Sequence, residues 1–147
     1  MTVESNPAAH DPPQLFGTNL GFLVFIVIGG PVAWYLQLTV NYGLVSHPCF
    51  PHFEPQQSYL PGWAWVGPVI LVFNLLAILA ALACGLLALR LWRATSEAYP
   101  PVYNQLLPPA AGRTRFLAVC GILTGFGAVA ATVFDLIALF AVPPCLG

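Results

Sequence analysis

"WAWVGPVILVFNLLAILAALACGLLALRL", residues 63–91, decides how this chain folds. Between Trp65 and Leu89 it carries no charged side chain, and Asn74 is its one strongly polar residue. About 20 such residues, rising 1.5 Å each, let a helix cross the hydrocarbon of a bilayer. Two further stretches read the same way: "LFGTNLGFLVFIVIGGPVAWYLQLTVNYGLV" over 15–45 and "FLAVCGILTGFGAVAATVFDLIALFAV" over 116–142. Asp135 is the single acidic or basic residue within them.

The rest of the composition agrees. Of 147 residues, 59% are apolar and 6% charged, against roughly 25% charged in an ordinary soluble domain. Four basic and five acidic side chains cannot clothe a water-facing surface, so the outer face meets membrane lipid. A net charge of -1 and the absence of lysine exclude nucleic acid, whose recognition needs clustered cations. The expected fold is an all-α integral membrane protein with three transmembrane helices in a single membrane domain, 1–147. Its parts are an irregular, proline-rich tail (1–14), a first span (15–45), an outer loop (46–62), a second span (63–91), a cytoplasmic loop (92–115), a third span (116–142) and an outer tail (143–147).

Orientation follows from charge. Arg90, Arg93, Arg113 and Arg115 all flank the loop joining the second and third spans, and cytoplasmic loops concentrate such residues. The N-terminus is then cytoplasmic and the C-terminus outside. Trp63 and Trp65 at one boundary and Trp92 at the other suit the aromatic belts of the two interfaces. The first span is retained rather than cleaved as a signal peptide, because no basic residue precedes it and no small-residue cleavage pattern follows. Pro31 within it removes a helical hydrogen bond and crowds the carbonyl of Val27, so a kink near mid-membrane is expected.

Lipid offers helices no hydrophobic reason to associate, so small residues and polar pairs must hold them together. In the second span Asn74, Ala77, Ala81, Cys84 and Ala88 form a small-residue seam at helical spacing, and in the third Gly121, Gly125, Ala128, Thr132 and Asp135 form another. The first span contributes Gln37 and Asn41, four apart on one face. Matching depths across antiparallel helices predicts an intramembrane polar cluster of Gln37, Asn41, Asn74 and Asp135. Asp135 reads as a packing hub in preference to a proton relay, since a lone carboxylate with no second titratable group makes a poor relay.

The segment "LVSHPCFPHFEP", 44–55, follows the first span. Cys49 there and Cys145 in the last tail both lie just beyond a helix end, on the side where disulfides persist. A Cys49–Cys145 bridge would close a loop of about a hundred residues, worth about 3–5 kcal/mol in the chain-entropy model. The alternative is a copper or zinc site of His47, Cys49, His52 and Glu54, suitable in chemistry but without a recognised ligand spacing. Covalent haem lacks its CxxCH motif. Buried haem lacks histidines within the spans, since His47 and His52 fall in the outer loop. No catalytic triad, carboxylate pair or phosphate loop is present, so the chain is not expected to be an enzyme or to hold an intrinsic cofactor.

The stretch "GGPVAWYLQLTVNYGLVSHPC", 29–49, through Gly30, Pro31, Trp34, Gln37, Tyr42 and Cys49, resembles small bacterial three-helix membrane proteins encoded beside haem–copper (cytochrome c) oxidase subunits. The resemblance implies a non-catalytic accessory subunit of a terminal-oxidase-type respiratory complex in the bacterial inner membrane. Any haem and copper would belong to the larger partner complex. Two other functions fit the residues: an outer-face copper or thiol-redox assembly factor using His47, Cys49 and His52, and an oligomeric transporter or channel component lined by Asp135 and Gln37.

Overall fold

A computed structural model describes residues 19–50, 61–98, 109–142 and 145. It contains α1 (Leu20–Cys49), α2 (Val66–Ala98) and α3 (Pro109–Ala141), each long and apolar enough to cross a membrane, and no strand among the described residues. All three pairs of helices are in contact, α2 running antiparallel to α1 and α3. With 30 residues α1 is about 45 Å long, and α2 and α3, with 33 each, are about 50 Å.

The helices differ in extent from the apolar runs. α2 continues past Leu91 to Ala98, and α3 starts at Pro109 rather than near 116. Hydropathy marks where lipid stops, but a helix continues wherever its backbone ladder does, and "RATSEA" keeps it going. Proline suits the first turn of α3, where the missing N–H has no helical partner to lose. The connection between α2 and α3 is correspondingly shorter than 92–115.

α1 runs unbroken through both Pro31 and Pro48. His47 and Cys49 therefore belong to its last turn and not to a loop, which corrects the expected boundary at 45. That turn is closed by Ser46 Oγ donating to the Gly43 carbonyl (3.1 Å) and Phe50 N–H donating to that of Ser46 (3.1 Å). Before α2, Gly62 takes φ 94°, a conformation that favours glycine, as at the third position of a type II turn after Pro61.

At the arginine-bearing end, Leu23 and Ile26 of α1 pack with Ala88 and Leu91 of α2 and Ala118 of α3. Further along, the three backbones nearly touch. A Cβ placed on Gly125 would stand 2.7 Å from both N and Cα of Gly85, and one on Gly30 would stand 3.1 Å from Cα of Gly125. Beyond this triple contact the interior becomes polar. The far end is bolted by the disulfide between Cys49 and Cys145, with Cα atoms 5.2 Å apart.

Candidate functional site

The glycine contact fixes the helix spacing, and the next three turns carry the polar side chains. Asn74 is fully buried. Its Nδ2 donates to the Ile70 carbonyl on its own helix (2.8 Å), and its Oδ1 accepts from Gln37 Nε2 of α1 (3.0 Å). Thr132 is equally buried, its hydroxyl returning to the Ala128 carbonyl at 2.9 Å. Asp135, half-buried, accepts from the indole N–H of Trp34, Nε1 to Oδ2 3.1 Å.

The expected four-residue cluster thus resolves into two couples, Gln37–Asn74 tying α1 to α2 and Trp34–Asp135 tying α1 to α3. Asp135 pairs with Trp34, which the residue types alone did not single out, because an indole reads first as an apolar or interfacial group. Asn41 Oδ1 is buried without a hydrogen-bond partner, as is Gln37 Oε1.

Both seams lie inside. Asn74, Ala77, Ala81, Cys84 and Ala88 are buried on α2, and Gly121, Gly125, Ala128 and Thr132 on α3. Gly85, one residue from the predicted seam, presents its backbone to Gly125 of α3, where a Cβ would find it at 2.7 Å. Cys84 and Cys120 are free thiols, and the Cys84 sulfur fills the space over Gly29, where a Cβ would lie 2.7 Å away.

At the disulfide end, Cys49 and Cys145 are both buried, and the bond occupies the sulfur that a metal site would need as thiolate. His47 is exposed on the last turn of α1. His52 and Glu54 lie outside the described residues, and no group of three metal-ligating side chains occurs among those described.

The outward faces are unequal. Within the spans, α2 exposes Val72, Phe73, Leu75, Leu76, Leu79 and Leu86, and α3 exposes Leu123, Phe134, Ile137 and Phe140, with no hydroxyl among them. α1 exposes Val24, Phe25, Ile28 and Val32 in its first half, then Tyr35 (66% exposed), Leu36, Thr39 and Tyr42 (79%), the Thr39 hydroxyl donating to the Tyr35 carbonyl at 2.9 Å. Tyr35 precedes Cys49 by fourteen residues, about 21 Å along the axis, so it stands near the middle of α1. Trp63 and Trp65 are stacked with ring centroids 5.7 Å apart just before α2, where the sequence places an aromatic belt.

Compared with models of protein families, with curated proteins and with solved structures, the chain finds no match.

Proposed function

We propose that this chain is a non-catalytic accessory subunit of a larger membrane complex, of the respiratory, terminal-oxidase type implied by its span-one resemblance. The observation that carries the reading is the outward face of α1. A phenol exposed at mid-membrane is poorly placed in hydrocarbon, which can neither donate nor accept a hydrogen bond, whereas a neighbouring protein helix can. Tyr35, Thr39 and Tyr42 are the residues through which the larger subunit would be met, while α2 and α3 turn purely apolar faces to lipid. The burial of the Cys49–Cys145 bond weighs against a thiol-exchange factor, because exchange requires an accessible sulfur. The proposed orientation sets the arginine end in the cytoplasm and the disulfide end outside, in the inner membrane of a bacterium. Any haem and copper would reside in the partner.

A photo-crosslinking residue at position 35 should capture a large integral membrane protein, and the same residue at Leu76 should capture lipid. Material gently solubilised through a C-terminal tag should carry the partner in fixed ratio, with a haem spectrum. A lone, colourless chain, with position 35 crosslinking to lipid, would sink the proposal. Asp135→Asn keeps an acceptor for Trp34, so complex yield should be unchanged. Loss of an ion flux in that variant would favour the transporter reading instead.

A further inference from the structure

The bond directions between α1 and α2 leave two oxygens unmatched. Asn74 Nδ2 donates to the Ile70 carbonyl, so Asn74 Oδ1 is the atom that faces Gln37. Gln37 must then present Nε2, and turning its amide over would set two oxygens against each other. Its Oε1 is thereby directed elsewhere, buried and without a donor, in a residue only 2% exposed. Asn41 Oδ1, one helical turn on, is also buried and without a donor, in a residue that is itself part-exposed. The hydrocarbon of a membrane supplies no donor to relieve either of them.

We propose that Gln37 Oε1 and Asn41 Oδ1 jointly hold one buried water molecule, which donates a hydrogen to each. Residues four apart on a helix have Cβ atoms about 5–6 Å apart. A water making two bonds of about 2.8 Å spans about 4.5 Å between its acceptors, a separation that side chains on successive turns of one helix face can reach. Both oxygen atoms are buried, one in the buried Gln37 and the other in the part-exposed Asn41, so a small donor fits the pair better than a lipid headgroup or a partner's side chain. A water needs two to four polar partners, and these oxygens supply the minimum. The water joins two successive turns of α1 to the Gln37–Asn74 bond, and so to α2. The site does not depend on which complex the chain serves.

The test is water-edited solid-state NMR on the full, oxidised chain in bilayers of deuterated lipid. Magnetisation from water should reach the Gln37 side-chain amide severalfold faster than the backbone amides of Ile70 and Ala77, buried on either side of Asn74. Asn41→Leu removes one acceptor without touching the Gln37–Asn74 bond, and should slow transfer to Gln37 severalfold. Transfer to Gln37 as slow as to Ile70 and Ala77 would overturn the proposal. Fast transfer left unchanged by Asn41→Leu would overturn the shared site. A signal appearing only with protonated lipid would assign the donor to a headgroup and overturn the water.

Discussion

Pro31 and Thr124 act as one unit. Proline has no N–H, so the carbonyl of Val27 loses its helical donor, and hydrocarbon offers no donor in its place. Thr124 of α3 supplies the missing bond, its Oγ1 donating to Val27 O at 2.8 Å. The consequence of Pro31 for Val27 is legible from residue order. Its remedy is not, because the Thr124 hydroxyl also lies 3.0 Å from the Cys120 carbonyl of its own helix, and local sequence cannot choose between them. Thr124→Val should cost about 0.5–1.5 kcal/mol in the natural chain. In a Pro31→Ala background, where residue 31 can donate to Val27 itself, the same change should cost distinctly less. A thermodynamic cycle on these four proteins in detergent checks the coupling, and equal costs in both backgrounds would refute it.

At the scale of the element, the helices are spaced by their glycines. Gly125 has backbone of α2 where a side chain would begin, with Gly85 N and Cα 2.7 Å from an ideal Cβ, so a methyl there must push two helices apart. Gly127, two residues away on the exposed side, has nothing within 4 Å. Gly125→Ala should therefore lower stability by about 1–3 kcal/mol, the usual cost of overpacking. Gly127→Ala should be neutral or slightly stabilising, since alanine favours helix. Thermal unfolding of the two variants side by side separates helix propensity from packing, and equal melting temperatures would mean the helices are not in contact at Gly125. Gly121 and Gly125 belong to the small-residue seam that helical spacing marks on α3. Gly85 was missed because closest approach depends on the crossing angle, and a 3–4 spacing drawn through Cys84 passes just beside it.

At the scale of the whole molecule, the disulfide joins the first helix to the last across a sequence separation of 96. Chain entropy puts its contribution at about 3–5 kcal/mol. Reduction, or Cys49→Ser with Cys145→Ser, should lower the melting temperature by several degrees. Cys84→Ser and Cys120→Ser should leave the bridge intact, visible as unchanged mobility on a non-reducing gel. A bridge that moves to Cys84 or Cys120 would contradict the arrangement of the bundle. The four arginines and the disulfide mark opposite ends of it.

Sequence alone determined that three helices are long and apolar enough to cross a membrane, where small residues line their contacts, and that Cys49 and Cys145 end at one level. These properties follow from composition and helical period, which act one residue at a time. Tertiary structure decided which polar groups meet. Helix rotation and crossing gave Asn74 to Gln37 and Asp135 to Trp34, and lent Thr124 to Val27. A hydrogen bond is satisfied or lost over a few tenths of an ångström, and depth along a helix cannot be read from sequence that finely.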